Sequence, residues 1–521
     1  MRIPFHRDDL AEIRRHGLTE TEARRQLELL SQPRRYVRIV RPCRVGDGIR
    51  RLEDAEIAAS LARYETARQQ GRVMKFVPAS GAATRMFRHL VRFFREPDLS
   101  WEGIAALAGA GDEDARLFVE FFEHLDRFPF AGEIERRLGA TITSEGVRKR
   151  NLREILEILL SDTALAYATL PKALIPFHRD RSGIFPPLAE HLREGAAYTA
   201  DLSGRVRIHF TIAAEARPRF ERALTAILEQ LQAPHEGIVF EVTFSCQHPA
   251  TDTLAVDPEN RPFRKGDGSL LFRPGGHGAL ITNLDALGGD IVFIKNIDNV
   301  APARMLPEIA RWKRILGGYL LGVAERIDAA LETLEGNPTP ETIEEIARFT
   351  EETVGHPLPA HFASSPLAER IAILRDRLDR PLRVCGMVPN RGEAGGGPFW
   401  VRGEDGTPSL RIVERAEIDP EIDGERFRRA THFNPVDLVC RLRDRRGNLY
   451  RLERYIDPTA VFITEKSYEG RRLKALERPG LWNGAMAHWN TLFVEVPAFT
   501  FNPVKRVNDL LAPAHRSEGE S

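Results

Sequence analysis

An alternation of strand-like and helix-like segments, beginning at Val73, is the feature that most constrains the fold. Runs rich in β-branched and aromatic residues occur at 205–213, 237–246 and 290–298, and stretches with apolar residues at helical spacing separate them. This alternation predicts an α/β fold of the Rossmann-like type, with a mixed, mainly parallel sheet and helices on its faces. Ligands of such sheets bind beyond the carboxyl ends of the strands. Polar residues just after the strands are therefore the first candidates for a site.

The segments around this core predict the domain organisation. Residues 1–70 are rich in Arg and Glu with apolar residues at helical spacing, which predicts a helical N-terminal segment ahead of the α/β core at 71–304. A second helical pattern predicts a helical insertion at 305–380. Strand-like runs return within 381–510 and are expected to complete the sheet, whereas the polar residues 511–521 are expected to be disordered.

Composition and charge exclude several classes of protein. The chain has 521 residues, of which 42% are hydrophobic, and its 75 Lys and Arg equal its 75 Asp and Glu. A balanced charge argues against nucleic acid or an anionic membrane as the main partner. We find neither the apolar core of a signal peptide nor a run of about 18 apolar residues, so no membrane span is predicted. The four cysteines are isolated in the sequence and predict buried thiols in a reducing compartment, the cytoplasm.

The loop after the first predicted strand is a candidate phosphate site. The sequence FVPASGAATRMF, residues 76–87, passes from a strand through small residues into a helix-like run at 84–94. Small side chains let backbone N–H groups approach a ligand, and a helix N-terminus adds about half a positive charge, so a phosphate suits this position. An ordinary small-residue turn is the alternative, because the loop lacks a P-loop lysine and has one glycine. The candidate contacts are Ser80, Gly81, Ala82, Thr84 and, as a clamp, Arg85.

Two further segments have a composition suited to ligand contact. Lys172 lies between two prolines in the apolar segment LPKALIPFH and is either a counter-charge for a phosphate or a surface lysine. The segment RPGGHGAL, residues 273–280, has three glycines within four residues. Such a backbone permits close ligand approach at Gly276, His277 and Gly278, although a plain turn is the alternative.

Polar residues also follow two of the core strands. Asp298 ends the strand-like run VFIKNID, where a carboxylate would hold Mg²⁺ against phosphate oxygens or, alternatively, cap the next helix. Gln247 follows another strand and has the donor and acceptor groups to bind a base edge.

Taken together, these segments carry a resemblance to known families. FVPASGAATRMF, LPKALIPFH, LFRPGGHGAL, FIKNIDNV and FNPVKRVNDL identify the chain as a member of a bacterial family known as domain of unknown function 4301. More remotely, residues 73–510 resemble the UDP-N-acetylhexosamine, UDP-glucose and UDP-sugar pyrophosphorylases. This resemblance implies the fold of the nucleotide-sugar nucleotidyltransferases, with a nucleotide-binding core at 71–304 and a sugar-phosphate site within 381–510.

The resemblance implies roles on the nucleotide side of the site. SGAATR, residues 80–85, stands in place of the phosphate-binding G-G-x-G-T-R loop; it keeps Thr84 and Arg85 but lacks two glycines. The P-K-x-L-x-P motif makes Lys172 a phosphate contact. The Q-x-x-P motif makes Gln247 the base reader, with a shorter spacing here.

On the sugar side, the resemblance implies that PGGHG replaces a P-x-G-N-G loop, with His277 in place of Asn. The V-D-N strand end makes Asp298 the metal ligand. G-V-V and V-E-Y-S-E-I imply sugar contacts from Gly386 and Glu414, and F-x-P-L-K-N implies a second phosphate-binding lysine, Lys505.

The expected activity is therefore that of a nucleotidyltransferase. It would join a nucleoside triphosphate, UTP by the resemblance, to a sugar 1-phosphate and release pyrophosphate, with Mg²⁺ on Asp298 and with Arg85, Lys172 and Lys505 as catalytic cations. Two alternatives remain open. A metal-dependent glycosyltransferase would release no pyrophosphate and would need an acceptor, whereas a non-catalytic nucleotide-sugar-binding protein would not need the cationic clamps.

Overall fold

The computed structural model describes residues 5–142, 146, 149, 151–232, 236–392, 395–403 and 405–516. The helices described are α1 (Arg7–Arg15), α2 (Glu20–Ser31), α3 (Asp54–Gln69), α4 (Arg88–Phe94), α5 (Trp101–Gly109), α6 (Glu113–Glu123), α7 (Ala131–Leu138), α8 (Leu152–Leu160), α9 (Pro187–Thr199), α10 (Arg217–Gln232), α11 (Leu280–Ala286), α12 (Leu306–Glu335), α13 (Pro340–Glu352), α14 (Leu367–Leu378) and α15 (Gly424–Arg428). None of them is both long enough and apolar enough to cross a membrane.

The strands lie along the whole chain. They are β1 (Ile39–Pro42), β2 (Arg44–Val45), β3 (Gly48–Arg50), β4 (Val73–Pro78), β5 (His178–Asp180), β6 (Gly183–Phe185), β7 (Arg205–Ile212), β8 (Val239–Cys246), β9 (Thr253–Val256), β10 (Phe272–Arg273), β11 (Ile291–Lys295), β12 (Leu382–Pro389), β13 (Gly396–Arg402), β14 (Pro408–Glu414), β15 (His432–Phe433), β16 (Asp437–Arg441), β17 (Phe462–Tyr468), β18 (Arg471–Glu477) and β19 (Asn490–Glu495). The chain divides into two compact units, each built from three separate segments.

The first unit contains Met1–Phe76, Ser245–Ile294 and Arg314–Ala498. Its main sheet has the strand order β2-β3-β19-β12-β16-β11-β4. The pairs β2–β3, β3–β19, β19–β12 and β11–β4 are parallel, whereas β12–β16 is antiparallel. Two smaller antiparallel sheets have the orders β10-β9-β18-β17 and β1-β13-β14. The predicted α/β fold with a mixed, mainly parallel sheet is thus confirmed.

The second unit contains Val77–Phe244, Lys295–Lys313 and Phe499–Ser521. Its helices α4, α6 and α8 pack around an aromatic core in which the rings of Phe93 and Phe118 lie 5.1 Å apart. Helix α9 packs on β7, and this close approach requires Gly195, because a Cβ there would lie 2.5 Å from a methyl carbon of Ile208. The segments that follow β4 and β11 both belong to this second unit.

Two parts of the structure differ from the expected pattern. The N-terminal 70 residues contain β1, β2 and β3 in addition to α1, α2 and α3, because Ile39 and Ile49 are buried in apolar cores of the first unit. Residues 511–516, expected to be disordered, are described, and the side chain of His515 is buried. Residues 517–521 lie outside the described residues. The linear domain boundaries stay a prediction, since each compact unit draws on distant parts of the sequence.

Candidate active site

The small-residue loop after β4 is open to solvent. Ser80, Gly81, Ala82, Thr84 and Arg85 are all exposed, and a Cβ added at Gly81 would have no neighbour within 4 Å. Packing therefore does not explain why these side chains are small. A ligand could reach the backbone here without displacing protein atoms.

The helix after this loop begins later than its sequence pattern predicts. Residues Ala83–Arg85 form one 3₁₀ turn and α4 begins at Arg88, because Met86 and Phe87 are buried in the aromatic core and Phe87 has a non-helical backbone at φ −104° and ψ 14°. The prediction of a helix from Thr84 is wrong in this respect. A seven-residue helix that starts three residues away contributes little charge to the loop. Exposed backbone and the Arg85 side chain remain as its phosphate-binding features.

Backbone hydrogen bonds hold Lys172 next to the loop. The Ala83 amide donates to the Leu170 carbonyl, and the Lys172 amide donates to the Gly81 carbonyl, each at 3.2 Å. Thr84 Oγ1 also donates to the Ala168 carbonyl at 3.3 Å. These bonds make the loop and the Lys172 segment one structural element.

Lys172 and Lys505 converge on one oxygen of Asp298. Lys172 Nζ lies 2.8 Å and Lys505 Nζ 2.9 Å from Asp298 Oδ2. The side chains of Asp298 and Lys172 are 11% and 12% exposed, whereas that of Lys505 is 60% exposed. Three residues separated by more than 330 positions in the sequence thus form one cluster, with two positive charges against one negative charge. Lys172 is its fixed cation and Lys505 its accessible one.

The cluster forms where two chain segments meet after the end of β11. The Val504 amide donates to the Asp298 carbonyl at 3.1 Å, and the Asn502 amide donates to Asn299 Oδ1 at 2.9 Å. The Lys505 amide is held by Asp509 Oδ2 at 2.6 Å. The segment that carries Lys505 is therefore fixed at its backbone even though its side chain is exposed.

Burial and charge act in opposite directions on the pKa values of Asp298 and Lys172. Burial acts to raise the pKa of Asp298, but the ammonium groups of Lys172 and Lys505 outweigh it and bring that pKa below its ordinary value. Burial lowers the pKa of Lys172, and the carboxylate of Asp298 opposes this effect. The lysines thus stabilise the ionised carboxylate at neutral pH.

The donor set of the cluster does not fit a resident Mg²⁺ ion. In the described part of the chain, no group of three or more His, Cys, Asp and Glu side chains is placed to hold a metal. Asp298 supplies one carboxylate, and two ammonium groups already lie against its Oδ2. Mg²⁺ prefers six oxygens, which substrate phosphates often supply. The metal role of Asp298 stays a prediction, and it requires a cation that arrives together with a phosphate ligand.

The other predicted contacts lie in the first unit. These are Gln247, Gly276, His277, Gly278, Gly386 and Glu414. Gln247 Nε2 donates to Asp252 Oδ1 at 3.1 Å, so its amide is oriented by a carboxylate. Gly386 is buried in β12, where a Cβ would lie 3.2 Å from Val496 and 3.4 Å from Leu316. The structure thus gives Gly386 a packing reason for having no side chain.

The glycine-rich loop packs tightly against the segment after β18. A Cβ at Gly278 would lie 2.0 Å from the Pro479 carbonyl oxygen, and Gly276 has a positive φ of 75°. The centroids of the His277 and Trp482 rings lie 4.6 Å apart, and a Cβ at Gly480 would lie 2.8 Å from His277 Cε1. Burial lowers the pKa of His277 to about 4. His277 is therefore neutral at physiological pH, and Gly278 is required by packing.

A pair of glutamates near this loop includes one residue that the sequence reasoning missed. Glu417 Oε2 accepts hydrogen bonds from Asn483 Nδ2 at 2.8 Å and from the Glu414 amide at 2.7 Å. Burial raises the pKa of Glu417 to about 7, and burial also raises the pKa of Glu414. The signal in the sequence was a second Glu three residues after Glu414. Glu417 can therefore hold a proton near neutral pH.

Two of the candidate glycines are expected to respond differently to alanine. Gly278→Ala should lower the free energy of unfolding by about 1–3 kcal/mol, because the new methyl group must displace a backbone carbonyl. Gly81→Ala is the matched control and should change stability by less than about 0.5 kcal/mol. Urea denaturation measures both. Equal stability of the two variants would contradict the packing role of Gly278.

The raised pKa of Glu417 predicts a pH-dependent stability. Between the unfolded pKa, about 4.3, and the folded value, about 7, the folded protein keeps a proton that the unfolded chain has released. Stability should therefore fall as pH rises through this interval. Between pH 5 and pH 8, the free energy of unfolding of Glu417→Gln should therefore rise by about 1–3 kcal/mol relative to that of wild type, as measured by urea denaturation. The same change in both proteins would contradict this assignment.

The family model named Domain of unknown function (DUF4301) matches residues 6–516. The chain belongs to this family. The membership inferred from the sequence segments is thus confirmed, and no curated protein matches the chain.

Solved structures similar to this DUF4301 protein include two pyrophosphorylases. The UDP-N-acetylglucosamine pyrophosphorylase of Trypanosoma brucei is 14% identical, with 96% of this chain and 72% of that chain covered and a TM-score of 0.45. A UDP-glucose pyrophosphorylase mutant from Leishmania major, solved with UDP-glucose, is 14% identical, with 97% and 77% covered and a TM-score of 0.44. Identities and scores at this level establish no activity.

Proposed function

We propose that this DUF4301 protein is a nucleotidyltransferase that joins a nucleoside triphosphate to a sugar 1-phosphate and releases pyrophosphate. The observation that supports this proposal most is the convergence of Lys172 and Lys505 on Asp298 beside the open loop 80–85. UTP is the first candidate nucleotide because of the sequence resemblance. The sugar 1-phosphate is to be identified by the screen described below.

The charge of the cluster suits phosphate groups. The two ammonium groups share one oxygen of Asp298, and an ammonium group has three N–H donors, so both lysines can also donate to a phosphate. The guanidinium of exposed Arg85 lies on the loop that is hydrogen-bonded to the Lys172 segment. A phosphate can accept hydrogen bonds from the lysines in place of Asp298 Oδ2. Asp298 would then position the two lysines before the ligand binds, and the lysines would donate to the phosphate afterwards.

The chemical step needs little covalent participation by the protein. An oxygen of the sugar phosphate attacks the α-phosphorus in line, and the bond from that phosphorus to the bridging oxygen of the β-phosphate breaks. Pyrophosphate leaves with the bonding electrons, so negative charge grows on it. Lys172, which is buried and fixed, is proposed to stabilise this charge. Lys505, whose side chain is exposed, is proposed to bind the sugar phosphate.

The sequence resemblance implies contacts with the base and the sugar for Gln247, Gly276, His277, Gly278 and Glu414, and these roles stay predictions. Mg²⁺ is proposed to enter as a complex with the triphosphate, because the protein's own ligands do not fit a resident ion.

The direct test is a screen of nucleoside triphosphates against sugar 1-phosphates in the presence of Mg²⁺. Released pyrophosphate and the nucleotide sugar are both detected by mass spectrometry, with Lys172→Ala as the matched control. Equal amounts of the two products, lost in the control, would support the proposal. Transfer of a sugar from a nucleotide sugar to an acceptor without pyrophosphate release would favour a glycosyltransferase. Binding without turnover would favour a non-catalytic nucleotide-sugar-binding protein.

A further inference from the structure

A buried histidine pair, which takes no part in the proposed chemistry, lies in the second unit. His178 Nδ1 lies 2.7 Å from Glu190 Oε1, and His178 Nε2 lies 2.8 Å from His515 Nδ1. The two imidazole rings are stacked, with centroids 5.1 Å apart and planes 15° from parallel. Glu190 is fully buried in α9, and both histidines are nearly so. Burial lowers the pKa of His515 to about 3, so this ring is neutral.

The histidine pair joins the segment that carries Lys172 to the segment that carries Lys505. His178 follows Lys172 by six residues, and His515 follows Lys505 by ten residues. The two lysine-bearing segments are therefore connected at two points. One is the shared contact of the lysines with Asp298 Oδ2, and the other is the bond from His178 to His515.

Further contacts hold both members of the pair in place. Arg193 lies 3.6 Å from Glu190 and pairs with Asp180 at 2.7 Å, which places a cation beside the buried carboxylate. On the other side, Arg304 donates to the Pro513 carbonyl at 2.7 Å, two residues before His515. The pair is thus part of a buried polar network that reaches both segments.

A phosphate ligand would act on the two connections differently. In the proposed function, phosphate oxygens take the ammonium groups of Lys172 and Lys505 away from Asp298, so that connection weakens as the ligand binds. The histidine pair is buried and keeps its hydrogen bond. The Lys505 side chain is 60% exposed, so a ligand must order it on binding, which costs conformational entropy. A backbone that is already fixed beside the site lowers this cost.

We propose that His178, Glu190 and His515 are positioning residues that hold the Lys505 segment against the Lys172 segment while phosphate binds. This inference rests on the proposed function. According to this inference, the histidine pair raises ligand affinity only because it positions Lys505. A purely structural pair would instead stabilise the fold and leave the contribution of Lys505 unchanged.

A double-mutant cycle in this chain separates these roles, with inorganic phosphate as the probe, in place of the phosphate of the sugar substrate, and calorimetry as the measurement. Lys505→Ala and His515→Ala are each expected to raise the Kd for inorganic phosphate about tenfold. The double variant should bind no more weakly than Lys505→Ala, because residues that act as a unit are not additive. His515→Phe keeps a buried ring without its hydrogen bond and should behave like His515→Ala.

The control is His209→Ala, which removes another buried histidine of the same unit, one hydrogen-bonded to Thr243 at 2.7 Å. Any effect of this change should add fully to that of Lys505→Ala. If His515→Ala does not fold, His515→Phe carries the cycle. Wild-type protein that binds no phosphate would overturn the proposed function itself. Wild-type binding that the His515 variants leave unchanged, or losses that add fully to that of Lys505→Ala, would overturn the positioning role alone.

Discussion

Lys172→Ala is expected to lower kcat for pyrophosphate release by about 10²–10³, with a smaller change in KM for the triphosphate. The Lys172 side chain is 12% exposed and its backbone is bonded to the Gly81 carbonyl, so the ammonium group is held in place before substrate binds. Loss of one preorganised group that stabilises transition-state charge costs about this factor. Steady-state kinetics with the substrate pair found in the screen measures it.

Lys505→Ala is the matched control, since it removes the same functional group from the same carboxylate. The Lys505 side chain is 60% exposed, and the structure fixes its backbone rather than its ammonium group. We therefore expect a higher KM for the sugar 1-phosphate and a nearly unchanged kcat. If Lys505→Ala weakens triphosphate binding alone, or if Lys172→Ala changes KM alone, the proposed division between the two lysines is wrong.

Asp298→Ala is expected to lower the free energy of unfolding by about 3 kcal/mol in addition to removing most turnover. The sequence placed this carboxylate at the end of a strand, where its removal would leave folding intact. In the structure its side chain is 11% exposed and pairs with a lysine that is equally buried. Removal of one member of a buried ion pair leaves the other charge without compensation, which typically costs about 3–5 kcal/mol. The lower part of this range applies here because Lys505 is largely in solvent.

A double variant tests this explanation. Asp298→Ala combined with Lys172→Met removes both charges and should recover much of the lost stability while turnover stays absent. Urea denaturation and pyrophosphate release measure the two properties separately. Stability in Asp298→Ala equal to wild type, or no recovery in the double variant, would show that the ion pair does not stabilise this unit.

The sequence predicted the elements of the site better than their arrangement. Lys172 and Asp298 were inferred from short local patterns and Lys505 from the family resemblance, and the structure brings both lysines within hydrogen-bond distance of one oxygen of Asp298. The loop at 80–85 was also placed correctly after a strand. Local patterns succeed for the loop and for Asp298 because β4 and β11 are parallel neighbours, whose carboxyl ends lie at the same edge of a sheet. Lys172 and Lys505 do not lie at strand ends, so this rule does not place them.

Features that depend on distant contacts were not predictable in this way. Helix α9 reads as an ordinary helix that covers a sheet, yet Glu190, His191 and Glu194 are all buried in it. Their partners lie far away in the sequence. Lys295, for example, follows Glu194 by more than a hundred positions, and its Nζ lies 2.9 Å from Glu194 Oε2. His515 was likewise assigned to a tail because its neighbours are polar. Its burial depends on a histidine 337 residues away.

The interleaved segments of the two units impose an order on how the site can be completed during synthesis. Chains generally fold from the N-terminus as they emerge from the ribosome. The second unit, however, takes its last segment from residues after Phe499, and that segment supplies Lys505 and His515. A nascent chain stopped at Ala498 would have Lys172 and Asp298 but neither of those residues. The protein therefore cannot bind phosphate with both lysines until the segment that follows Ala498 has been translated.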